Sequence, residues 1–158
     1  MRLREIRHII WRDYNDLFPQ NELLLAHIYT ECPTLTFDCA WNPDSRVTTS
    51  DWGWSVGLGQ WHMRYRYTDW LKKNGYTYKP GHKAYIQEVR EKFFQDHPKM
   101  KDWTHQAHKY IAEASGGIKK HGSIEMFIRR HNWNAGLPYL QKVQNNVYRV
   151  RNILNDKS

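Results

Sequence analysis

Asn21-Glu22-Leu23-Leu24-Leu25-Ala26-His27-Ile28-Tyr29-Thr30-Glu31-Cys32-Pro33 is the stretch around which the chain organises. Leu23 through Ile28 is apolar enough to be a buried helix. Asn21 supplies a capping side chain ahead of it. Pro33 disfavours helical geometry in the residue before it, so the helix ends near Cys32 and Glu31 falls in its last turn. Glu31 lies seven residues after Leu24 and three after Ile28, which extends the apolar face instead of joining a solvated one. The negative end of the helix dipole and partial desolvation both favour the neutral form of such a carboxyl. Those are the requirements of a general acid. The plainer reading pairs Glu31 with His27 one turn earlier, or lets it reach solvent past the helix end.

Outward from this helix, Leu3, Ile6, Ile10 and Tyr14 recur every three to four residues and predict an amphipathic first helix, broken at Pro19. Beyond Pro33 the period disappears as far as Gln60. Asn42-Pro43-Asp44, Thr48-Thr49-Ser50-Asp51 and Gly53, Gly57 and Gly59 supply turn chemistry there, predicting a loop or small hairpin region. Helical patterning resumes over Trp61 to Leu71, Ala84 to Phe94 and Trp103 to Ala114, separated by Gly75, Pro80-Gly81, Pro98 and Gly116-Gly117. Ser123 can open a further helix, and Leu140, Val143, Val147, Val150 and Leu154 form a terminal one. The fold class is mainly α, and 158 residues suit one domain with its own core. No internal repeat or low-complexity segment interrupts it.

Lys and Arg total 24 against 16 acids, a formal charge of +8, so the partner carries negative charge. Aromatic residues at 15% suit a polymer with flat faces, either sugars or bases. A nucleic-acid-binding domain is disfavoured because no clear basic recognition helix or known binding motif is present. Charged residues interrupt Met1 to Leu17, leaving no signal-peptide core, and no run is long enough to span a bilayer, so synthesis in the cytoplasm is expected. Cys32 and Cys39 are too few for a disulfide framework, which leaves one bridge or two reduced thiols, the latter being expected. His105 and His108, with His97 and His121 nearby in sequence, complete no zinc pattern, so no metal site is expected.

Glu31 is followed by Ala40-Trp41-Asn42-Pro43-Asp44, then by Ser55-Val56-Gly57-Leu58-Gly59-Gln60, and finally by Asn132-Trp133-Asn134-Ala135-Gly136. In this order the motifs resemble those of the soluble (SLT) lytic transglycosylases and the related goose-type lysozymes, over about residues 22–150. The resemblance implies a lysozyme-like α+β variant of the helical fold and cleavage of the glycan strand of bacterial peptidoglycan by a monomer without a cofactor. Residue by residue, it makes Glu31 the catalytic acid, Gln60 a sugar-contacting amide, Asn134 the Asn of the third motif, and Ser55 and Gly57 the positions that shape the backbone before Gln60. Two departures stand out: Gly59 replaces a Met, and Trp133 stands where many members carry a Tyr whose hydroxyl contacts the acid. An indole can donate but not accept, so the group orienting Glu31 differs at that position; Trp133 could equally be plain core packing.

SLT-type enzymes use one Glu, first as acid and then as base for the muramic C6 hydroxyl, giving an anhydro-sugar. Asp51, six residues before Gly57, is similar in spacing to a water-positioning Asp of goose-type lysozymes, while His62 falls where their other Asp would be. Asp51 could equally be a turn-former beside Thr48, Thr49 and Ser50, the role read for Asp44. Trp41, Trp52, Trp54 and Trp61 surround the motif loop, where they either pack the core or stack on pyranose rings, with Trp54 counted among the candidate sugar contacts. Without an export signal, such an enzyme reads as a phage endolysin or virion-associated lysin acting on the cell wall. A fold-preserving protein that binds glycan without turnover is the alternative.

Overall fold

The computed structural model describes residues 2–36, 55–63, 67–75, 83–131 and 136–156, and these are mainly helical. Helix α1 (Arg2–Asp13) buries Leu3, Ile6, Ile9 and Ile10 on one face. A 3-10 turn over Asn15–Gln20 holds Pro19 and turns the chain into α2 (Asn21–Glu31), which ends at Cys32. Asn21 does not cap α2 as expected: it is the first helical residue, and its side-chain amide donates back to the Phe18 carbonyl. Leu24 through Ile28 are all buried, so α2 is enclosed on every side.

The described part of the next region is a small hairpin, β1 (Ser55–Val56) and β2 (Trp61–His62), antiparallel with Ser55 opposite His62 and Val56 opposite Trp61. The helix expected from Trp61 therefore begins later, as α3 (Thr68–Lys73), because Trp61 and His62 are drawn into pairing across the turn. α4 (Lys83–Asp96) follows, and then α5 (Trp103–His121). The Asp102 carboxylate caps α5 by accepting from Thr104 N at 2.9 Å. α5 runs straight through Gly116-Gly117, against expectation, and stops at Gly122, whose φ of +89° is the left-handed conformation that ends helices. Ser123 opens α6 (Ile124–His131) with its hydroxyl accepting from Met126 N at 3.2 Å. Last comes α7 (Gly136–Asn155), which lies along α2 and buries Tyr139, Leu140, Val143 and Val150.

The apolar side chains form two clusters. The larger joins α1, α2, α5, α6 and α7 around Leu24, Ile28, Ile111 and Val143. The smaller gathers Val56, Met63, Tyr67, Leu71, Val89, Phe93, Phe94 and Met100. The hairpin sits between them, with Leu58 in the first cluster, Val56 in the second, and Trp61 packed against both. Cys32 is disulfide-bonded, correcting the expected free thiol; the other cysteine of the chain, Cys39, lies outside the described residues. Among the described residues no helix is long and apolar enough to cross a membrane.

Candidate active site

α2 carries His27 and Glu31 four residues apart, hence on one face. His27 is fully buried, whereas Glu31, at the helix end, is half-buried. The buried run from Leu24 to Ile28 anchors the helix just before this end. Asn146 of α7 tightens it further, donating to the Thr30 hydroxyl at 2.8 Å, while that hydroxyl donates to the Ala26 carbonyl at 2.7 Å. Three elements converge on the His27–Glu31 face. From α7, the Tyr139 hydroxyl donates to Glu31 Oε1. From α5, the Tyr110 hydroxyl lies 2.6 Å from His27 Nδ1. From the end of α6, the His131 ring stands edge-on to His27, with centroids 4.5 Å apart.

His131 also joins this cluster to the hairpin, because its imidazole is hydrogen-bonded to the backbone of Gly59. The turn that presents Gly59 is held from below. Gly57, at φ +79°, adopts a conformation that favours glycine, and a Cβ there would sit 2.7 Å from Gln106 Cδ. Gln106, fully buried on α5, accepts from Leu58 N at 2.9 Å and donates to the Met100 carbonyl at 2.6 Å. Arg90 of α4, itself buried, donates to the Ser55 carbonyl at 2.8 Å. Trp61 Nε1 donates to Glu113 Oε2 at 2.9 Å.

The electrostatics are those of a carboxylate beside neutral rings. Burial, and then the neighbouring His131, hold His27 well below the usual imidazole range. Burial lowers His131 too, opposed in part by the Glu113 carboxylate and the Gly59 backbone. Burial, followed by the charges of Glu31 and Glu113, pushes the Tyr110 phenol well above its ordinary value. Both imidazoles are thus held toward their neutral forms, and the Tyr139 hydroxyl donates to one oxygen of Glu31.

Of the residues singled out in the sequence, Glu31, Ser55, Gly57 and Gln60 are described, and the chain Glu31–His27–His131–Gly59 brings the acid and the motif turn into one neighbourhood. Gln60 is half-buried with φ +48°, and its Nε2 donates to the Gly57 carbonyl at 2.9 Å, stiffening the turn. Asp51, Trp54, Trp133 and Asn134 lie outside the described residues, as do Trp41 and Trp52. Sequence reasoning missed Tyr139, His131 and Gln106. Tyr139 stands four residues before Val143 on the apolar face of α7, and a phenol on such a face needs a polar partner; that spacing was the available signal. Sequence offers no comparable cue for His131 or Gln106.

In comparisons with known proteins, no family model, no curated protein and no solved structure matches the chain.

Proposed function

We propose that the protein is a glycosidase that cleaves the β-1,4 bond between N-acetylmuramic acid and N-acetylglucosamine in peptidoglycan, with Glu31 as acid and base. The observation that carries this reading is the hydrogen bond from the Tyr139 hydroxyl to Glu31 Oε1. It orients one carboxyl oxygen, and in the proposed cycle Oε2 carries the transferable proton; the tyrosine donor to the acid comes from residue 139, in α7. Oε2–H protonates the bridging oxygen as its bond to C1 breaks, generating an oxocarbenium-like centre. Glu31, now a carboxylate, accepts the proton of the muramic C6 hydroxyl while that oxygen bonds to C1. The acid is thereby regenerated and an anhydro-muramic end is released.

The Gly57–Gln60 turn, pinned by Gln106 and joined to His131, is the rigid edge against which the glycan would be aligned. The net charge of +8 suits a wall rich in anionic polymers. A basic, wall-degrading enzyme of this kind fits the role of a phage endolysin or virion-associated lysin that lyses bacterial cells. A hydrolytic variant would use Asp51 to position water in place of the C6 hydroxyl.

Mass spectrometry of products from purified peptidoglycan tests the proposal. Anhydro-muramic ends are expected, and Glu31→Gln, nearly isosteric but unable to transfer a proton, should abolish them while the fold persists. Reducing ends that are lost in Asp51→Asn would assign the hydrolytic variant. Binding to peptidoglycan without any cleavage, or cleavage retained in Glu31→Gln, would overturn the assignment of the acid.

A further inference from the structure

The His27–Glu31 face carries more than an acid. His27, Glu31 and His131 each offer one ligand-type atom, and these atoms all lie within 4.8 Å of one another. Among the described residues His27 Nε2 has no hydrogen-bond partner, although its side chain is wholly buried. A polar atom so placed costs free energy unless something occupies the space in front of it. The other nitrogen of His27, Nδ1, is engaged with the Tyr110 hydroxyl at 2.6 Å, and the His131 imidazole is hydrogen-bonded to the Gly59 backbone. This is the outer support that ligating imidazoles ordinarily have, since it fixes which nitrogen presents its lone pair.

We propose that His27, Glu31 and His131 form a binding site for one divalent transition-metal ion, zinc being the best fit. Two imidazole nitrogens and one carboxylate oxygen match a three-ligand zinc site with an open fourth position. Calcium and magnesium prefer all-oxygen sets and are a poor match. The four-residue spacing of His27 and Glu31 places two ligands on one helical turn, and His131 at the end of α6 closes the third side. Ligand atoms in a tetrahedral zinc site lie about 3.4 Å apart, so binding needs a closure of roughly an ångström. Glu31 and His131, both half-buried at helix ends, are placed to make it. The Tyr139 hydroxyl remains on Glu31 as the carboxylate's own outer support.

The site stands independently of the glycosidase reading. If both hold, ion and proton compete for one carboxylate and zinc suppresses cleavage. The full-length chain, stripped with EDTA, is titrated with zinc chloride by calorimetry and with cobalt(II) chloride by visible absorption. One ion per chain is expected, bound at micromolar concentration or tighter, with the intense absorption of a low-coordinate cobalt centre. Glu31→Gln and His131→Gln should each weaken zinc by at least about 10-fold and alter the cobalt spectrum. The double variant His105→Gln/His108→Gln should change neither. Circular dichroism melts confirm that each variant is folded. Failure of the parent chain to bind zinc saturably, or undiminished affinity in a folded Glu31→Gln or His131→Gln chain, would overturn the three-ligand site. A chain that binds zinc yet cleaves no glycan keeps the site and loses the enzyme; one that cleaves glycan but binds no zinc does the reverse.

Discussion

Replacing Gly57 by Ala perturbs the hairpin at the point where it meets α5. An alanine at φ +79° carries the steric cost of the left-handed conformation, about 1–2 kcal/mol. Its methyl group also collides with the Gln106 amide, 2.7 Å from Cδ, and that amide has no free space to retreat into because it is fully buried. Displacing it deprives Leu58 N–H of its acceptor and the Met100 carbonyl of its donor, and each buried group left unpaired costs about 1–3 kcal/mol. The expected loss is roughly 3–8 kcal/mol, large against the 5–15 kcal/mol that stabilises an ordinary domain. Urea unfolding followed by circular dichroism measures it as a fall in midpoint at unchanged slope. The Gln106→Ala background separates the two causes. With the amide gone, adding Gly57→Ala should cost only the backbone penalty, so the double variant should lose much less than the two single losses combined. A Gly57→Ala loss below about 1 kcal/mol would refute the reasoning, and so would strict additivity in the cycle.

The two glycines inside α5 should respond to the same change with opposite signs. Gly116→Ala meets nothing within 4 Å and should stabilise by up to about 1 kcal/mol through helix propensity. Gly117→Ala drives its methyl group into the Phe127 ring and should destabilise by about 1–3 kcal/mol despite the same propensity gain, as thermal melts of the pair will show. Tyr139→Phe removes the donor to Glu31 Oε1 and should slow peptidoglycan cleavage by about 10- to 100-fold through kcat, while its melting temperature falls only slightly. A Tyr139→Phe enzyme as fast as the parent would leave Glu31 without its positioning residue.

Much of the helical frame was legible because burial follows period. Leu3, Ile6 and Ile10 predict α1, and the unbroken apolar run from Leu23 to Ile28, stopped by Pro33, predicts α2 with Glu31 in its last turn. The misreadings concern places where a specific contact outweighs intrinsic preference. Gly116-Gly117 reads as a break, yet α5 continues through it because the absent side chain at Gly117 is what admits Phe127 from α6. Trp61 reads as a helix start, yet pairing with Val56 across the Gly57 turn holds it in a strand. Asn21 has a capping side chain, but the preceding 3-10 turn delivers the Phe18 carbonyl to its amide first.

The candidate site divides along the same line. What a single helix encodes was readable: Glu31 on the apolar face of α2 and His27 one turn before it. What requires two distant elements to meet was not, since α7 must lie along α2 before the Tyr139 hydroxyl finds Glu31, 108 residues away in sequence. His131 shows why such residues matter most. It ends a short helix with nothing in its local pattern to mark it, yet it packs on His27 and bonds to Gly59, so one ring connects the helix end to the glycine-rich turn. The same ring decides between two uses of Glu31. As a packing partner of His27 it steadies the helix end at which an acid would work; as a donor of a lone pair it favours a carboxylate holding a metal ion. Zinc titration of the parent chain and of His131→Gln, read beside glycan cleavage by both, therefore asks one side chain which of the two chemistries the helix end was built for.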